Sequence, residues 1–138
     1  MTEGVWDAGA SSEQTIGSAG GFVEFPAAQT DKSVVIGLSN EDLDSGYTNI
    51  NYAVMLRDDG YVQLYEKGVP VSTPRPYAVD DVFRISVEIG LLGERLIKYY
   101  QNGEVIYTSE VAPTFPLRVD VSIKHEEAVI RDVTITSY

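Results

Sequence analysis

The chain has no cysteine, one histidine and one tryptophan in 138 residues, and each shortage removes a kind of chemistry. Without thiols there is no disulfide framework, no thiolate nucleophile and no thiolate zinc site, and the compartment is left open. The single histidine, His125, leaves no histidine pair at metal-binding spacing. Basic residues are scarce: 10 Lys and Arg stand against 21 Asp and Glu, for a formal net charge of −11. Phosphate backbones and anionic membranes repel such a surface, so neither nucleic acid nor membrane insertion is expected. The acidity fits plain solubility, cation binding or a salty extracellular setting. No run approaches the roughly 20 apolar residues that span a bilayer, and Met1-Thr-Glu-Gly-Val-Trp6 lacks the basic and apolar segments of a signal peptide. If the protein is exported, this chain is a mature domain or an excised piece with an added Met1. Helical patterning is missing too, because no apolar period of 3.6 residues persists over ten positions before Gly, Pro, Asn or Asp interrupts it.

What remains is β structure in an ordinary folded composition, 43% hydrophobic and 22% charged, sized for one domain over residues 1–138. Strand signals rich in β-branched and aromatic residues recur at 21–25, 33–38, 51–56, 61–66, 82–89, 95–101, 104–109, 117–123 and 128–137. Alternation predicts Phe83, Ile85, Val87 and Ile89 inward with Arg84, Ser86 and Glu88 outward. It likewise predicts Val119, Val121 and Ile123 inward with Asp120, Ser122 and Lys124 outward. In the last run Val133 and Ile135 define one face and Ile130 falls on the other. Asn102-Gly103, between Arg95–Gln101 and Glu104–Ser109, has the sequence of a two-residue type I′ hairpin turn. Asp58-Asp59-Gly60, Gly90-Leu-Leu-Gly93 and Lys124-His-Glu-Glu127 close further hairpins. Two stretches resist strand assignment, 39–49 and the proline-rich 69–77, which should be a loop or a sheet edge. Regularly spaced antiparallel strands predict an all-β sandwich or barrel.

The order Trp6-Asp-Ala-Gly-Ala10, Gly21-Phe-Val-Glu-Phe25, Ile36-Gly-Leu-Ser39, Tyr61-Val-Gln-Leu-Tyr-Glu66, Asp80-Asp-Val-Phe-Arg-Ile85, Tyr99-Tyr-Gln-Asn-Gly103, Val105-Ile-Tyr107, Pro116-Leu117 and Ile130-Arg-Asp-Val-Thr-Ile135 resembles the concanavalin A-like lectin/glucanase jelly roll. It is most similar to the small bacterial versions in surface and repeat proteins, and laminin G-like and SPRY domains share its late hairpin. The resemblance implies a two-sheet antiparallel β-sandwich, and a module of a larger extracellular or cell-surface protein. Such modules usually bind carbohydrate or protein and are sometimes glycoside hydrolases. Trp6 would then be a buried anchor, a sugar platform being the other reading.

Glycosidases of that superfamily carry Glu-x-Asp-x-x-Glu on one strand, and retention needs carboxyl groups about 5 Å apart. The motif is absent. Glu41-Asp42-Leu-Asp44 and Glu126-Glu127 have neither the spacing nor a strand, and His125 sits in a turn without a nucleophile elbow. No catalytic residue is expected. Sugar binding needs an aromatic face and fixed polar groups, and the loop residues Asn40, Asp42, Asp44, Tyr47 and Asn49 supply those types, though the loop also reads as a solvated acidic surface. Arg75 and Tyr77, between prolines, form a second candidate cluster. Tyr61 and Tyr65 share one side of their strand and could extend it into a platform, with Tyr52 joining or packing inside. Strand tyrosines also serve as core-edge packing. No cofactor is expected. Calcium is the plausible ion, through Asp42, Asp44 and Asn49 or Asp58 and Asp59, and 44–49 is faintly similar to the metal loop of legume lectins, but the ligand spacing of an EF-hand is absent. The leading expectation is a noncatalytic, lectin-like adhesion module that recognises surface glycan or a surface protein. The alternative is a structural or oligomerisation domain of a fibre without a sugar site, and the third an unrecognised glycosidase.

Overall fold

The computed structural model describes residues 11–40, 50–123 and 132–138, so Trp6, the 41–49 loop, His125 with its neighbours, and Ile130 lie outside the described residues. Among the described residues there is no helix, and none long and apolar enough to cross a membrane. Twelve strands form: β1 Ser11–Ile16, β2 Gly21–Pro26, β3 Val34–Ser39, β4 Tyr52–Leu56, β5 Tyr61–Glu66, β6 Val69–Pro70, β7 Arg75–Pro76, β8 Val82–Ile89, β9 Arg95–Gln101, β10 Glu104–Thr108, β11 Leu117–Ile123 and β12 Thr134–Ser137. They make two antiparallel sheets, one of seven strands ordered β1-β11-β3-β4-β5-β6 with β7 also on β5, the other of five ordered β10-β9-β8-β2-β12. The proline-rich stretch accordingly becomes two short edge pieces, where missing amide donors cost no central ladder bond.

The sheets stack on a shared core. Ile36, Leu38, Val54, Leu56, Val62, Leu64, Val119 and Val121 from one sheet meet Val23, Phe25, Phe83, Ile85, Val87, Ile97 and Tyr99 from the other. Phe25 and Phe83 stack with ring centroids 6.0 Å apart, and Tyr77 meets Phe83 edge-on at 6.0 Å. This inner face follows the sequence alternation, with exceptions that have visible causes. Ile89 was expected inside but is 54% exposed, because the core on β8 stops at Val87 and Ile89 leads into the Gly90 turn. Ser86 and Asp120 face outward as expected yet are buried. On Asp120, the flanking strands β1 and β3 close in at Ser11 and Gly37. Tyr52 packs inside, with its hydroxyl donating to the Val111 carbonyl.

The Asn102-Gly103 turn has φ of 52° and 81°, as the type I′ geometry requires. Asn102 also ties the hairpin to β8: its backbone N–H donates to the Val82 carbonyl, and its side-chain oxygen accepts from the Val82 N–H. Tyr107 pairs with Tyr99 across the hairpin, rings 5.8 Å apart, after a bulge at Ile106. Gly37 marks the opposite extreme, a place where backbone comes too close for any side chain. A Cβ there would lie 2.0 Å from the Tyr52 carbonyl oxygen and 2.7 Å from Ile50. In denaturant melts, Gly37→Ala should therefore cost several kcal/mol, roughly 3 or more. Gly103→Ala, which meets nothing within 4 Å, should cost only the left-handed backbone strain of about 1 kcal/mol. Equal costs at the two positions would contradict this account.

Candidate functional site

Because side chains alternate, the outward face of β5 presents Tyr61, Gln63 and Tyr65, while Val62, Leu64 and Glu66 turn inward. Beside them on β4 stands Met55, paired with Gln63, and Arg57 follows the strand, its N–H bonded to the Tyr61 carbonyl. Gln63 is the hub of this band. Its side-chain oxygen accepts from the Tyr65 hydroxyl at 3.2 Å and from Arg57 Nη1 at 3.5 Å, and its amide nitrogen donates to the Ser72 carbonyl at 3.1 Å. Arg57 Nη2 also pairs with Asp59 at 2.6 Å. The result is an aromatic and hydrogen-bonding surface whose side chains hold one another in place, with Tyr61 44% exposed at one end. Towards β3 the same face turns apolar, where Val35 and Ala53 are buried with Ile50, and Met55 and Tyr65 pack against them.

Asn40 lies at the foot of the β3–β4 connection, its backbone N–H donating to the Asn51 side-chain oxygen, which Ser39 also bonds. Asp42, Asp44, Tyr47 and Asn49 lie outside the described residues. Arg75 and Tyr77 do not extend the Tyr61–Tyr65 platform. Tyr77 is a core residue, 8% exposed, with its hydroxyl donating to the carbonyls of Arg57 and Gln29. Burial, then the charges of Asp59, Asp31 and Asp58, push its phenol up to about 12. Arg75 is paired with inward-facing Val62 and lines a cleft at the open edge between the sheets with Leu64, Ser72, Thr73 and Ile106. It is thus on the other side of β5 from Tyr61. Gln63 and Arg57 were missed in the sequence, although the β5 alternation already groups Gln63 with the two tyrosines.

A second polar group sits inside the sandwich. Glu66 accepts hydrogen bonds from the Tyr99 hydroxyl and from Ser109 Oγ, both at 3.0 Å, so a carboxyl on one sheet is held by one donor on the other and one just beyond its β10. Burial raises its pKa, against the two hydroxyl bonds that lower it, and the charge of Glu110 adds to the rise. Burial and the Glu66 charge in turn push Tyr52 up to about 12. Glu66 faces the core and is a link between sheets. Among the described residues no three His, Asp or Glu side chains gather as a metal site. Of the calcium candidates, Asp59 is engaged by Arg57 and by the Tyr61 N–H, and the Asp58 N–H donates to Ser33 Oγ.

No protein-family model matches the chain, and no curated protein matches it. Solved structures do. Galectin-Ib of Xenopus laevis is 12% identical with a TM-score of 0.52, covering 93% of this chain and 99% of its own. The β-glucanase of Bacillus licheniformis is 15% identical with a TM-score of 0.53, covering 93% and 70%. The carbohydrate recognition domain of Emp47p is 11% identical with a TM-score of 0.50, covering 96% and 73%. At these identities the likeness is one of fold, and the fold is the concanavalin A-like jelly roll that the sequence resembles. Lectins and a glucanase share it, so the fold alone does not decide catalysis.

The Glu66 link has a pH signature. A carboxyl whose folded pKa is raised holds its proton more tightly in the native state. Its contribution is whole below the unfolded pKa and is lost as pH rises through the folded value. Glu66→Gln removes that titration, so the variant's melting temperature should gain on the parent's as pH rises above the ordinary glutamate value. A difference that is constant, or that moves against the variant, would refute the raised pKa.

Proposed function

We propose that this chain is a noncatalytic, lectin-like binding module of an extracellular or cell-surface protein, and that it recognises glycan on the outward face of β4 and β5. The observation that carries the reading is the Gln63-centred band. Tyr65 and Tyr61 offer aromatic faces for the apolar side of a sugar ring, and Arg57 offers guanidinium hydrogens for its hydroxyls, with little left to order on binding. The β3–β4 loop supplies Asn40, Asp42, Asp44, Tyr47 and Asn49 as further candidates. The lectin folds among the structural neighbours support the same reading. Against catalysis stand the missing Glu-x-Asp-x-x-Glu pattern and the inward position of Glu66. No cofactor is needed for binding of this kind.

The alternative, a structural or oligomerisation domain of a fibre, has one observation on its side. Leu91 and Leu92 stand fully exposed in the β8–β9 turn beside the exposed Ile89.

A glycan array probed with purified protein, with and without calcium, tests the proposal. At least one glycan should bind in both conditions. Arg57→Ala and Tyr65→Ala should each weaken that binding by about tenfold or more, both variants still melting cooperatively, with Tyr65→Ala costing about 1–2 kcal/mol for its lost packing on Val35 and Ala53. No glycan above background, together with a stable dimer or trimer on light scattering, would favour the structural alternative.

A further inference from the structure

Along one side of the sandwich the two sheets leave a gap. The five-stranded sheet ends there in β10, and the seven-stranded sheet ends in β6 and β7, two short pieces on β5 with residues 71–74 between them. In that interval Ser72 stands in for a strand partner. Its Oγ accepts from the Leu64 N–H at 3.0 Å, next to the bond from the Val71 N–H to the Leu64 carbonyl at 2.9 Å. Having accepted there, the Ser72 hydroxyl keeps its own hydrogen to donate.

Register directs Arg75 into this gap. It pairs with Val62, whose side chain belongs to the core, and residues directly opposite in a ladder share one face. Tyr77, two residues further on, is a core residue as well, as the period of two requires. Pro74 and Pro76 stiffen the backbone on either side. The chain holds 21 acidic residues, yet none of them forms an ion pair with Arg75 among the described residues. From the other sheet, the bulge between Val105 and Tyr107 turns Ile106 onto the core edge. These residues line one cleft of about 130 Å³. Val62 and Leu64, each 1% exposed, close its floor, Ile106 walls it from the opposite sheet, and Ser72, Thr73 and Arg75 make it polar.

We infer that this cleft is a second ligand site, which takes a small monocarboxylate with a short apolar tail. The Arg75 guanidinium and the Ser72 hydroxyl are donors without acceptors, which a carboxylate supplies; the planar fork of arginine matches its two oxygens. The tail goes against Ile106 over the aliphatic floor. At about 30 Å³ per water-sized volume, the cleft has room for a tail of about four carbons and no more. The net charge of −11 favours a single negative charge over a dianion such as phosphate. The site lies on the other side of β5 from the Gln63 band, so it does not rest on the glycan reading.

Amide chemical-shift titration of the full chain with sodium isovalerate tests this, in about 0.15 M salt so that loose attraction between exposed charges is screened. Isovalerate should shift the amides of Leu64, Ser72, Thr73, Arg75 and Ile106 and saturate in the millimolar range. Isovaleramide, which keeps the tail and loses the charge, and acetate, which keeps the charge and loses the tail, should each bind about tenfold more weakly or worse. Arg75→Gln should weaken the isovalerate response by about tenfold, and Ile106→Ala, which leaves the arginine in place, should weaken it severalfold. Lys67→Gln, the same change of charge at an exposed turn position, should leave it unchanged. The proposal is overturned if isovalerate moves none of these amides, if isovaleramide matches it, or if the response keeps its strength in Arg75→Gln.

Discussion

The structure rests on two sheets pressing one face each into a common core. Each strand has a period of two, so the residues that fill the core leave every other position facing out. The inner set is nearly uniform: aliphatic side chains around Phe25, Phe83 and Tyr99. The outer sets are free to differ, and they do. On the seven-stranded sheet an apolar patch at Val35 and Ala53 gives way to a polar, aromatic band around Gln63. On the five-stranded sheet ion pairs and a tethered tyrosine form a cross-strand row. Surface chemistry therefore varies where the core does not constrain it.

Glu66 brings a carboxyl into that core. Its two hydroxyl partners stand on or beside strands of the other sheet, so the sheets are joined by directional bonds as well as by apolar contact. Such a link adds specificity of alignment more than stability, because burying a carboxyl carries a desolvation cost that its hydrogen bonds only partly offset. The network continues through Ser109 to the Val111 N–H, while the Val111 carbonyl receives the Tyr52 hydroxyl. The segment after β10 is thereby fastened to both sheets.

Most of the fold was legible in the sequence, since strands announce themselves by alternation and turns by Asn, Asp and Gly. The hairpin at Asn102-Gly103, the inward run Phe83, Ile85 and Val87, and the edge placement of 69–77 all follow from local chemistry. Where that reasoning fell short, the cause was tertiary. Ile89 alternates correctly but runs beyond the core, and Ser86 faces outward yet is buried between its strand neighbours Phe22 and Lys98. Tyr77 looked like a contact residue because prolines flank it, yet register puts it on the inner face. The grouping of Arg57 with Gln63 depends on strand pairing across a turn, which composition does not reveal.

The sheet order carries a consequence for how the chain is made. Among the described residues β1 pairs with β11 alone, and the five-stranded sheet is completed at one edge by β12 on β2. The early strands of the domain thus depend on its late ones, and without β11 and β12 the apolar inner face of β2 and β3 lacks part of its partner layer. Non-local pairing of this kind slows folding, because distant strands must meet before their contacts stabilise one another. β11 is also the strand that closes β1 onto β3, so a fragment cut before it should be insoluble rather than partly functional.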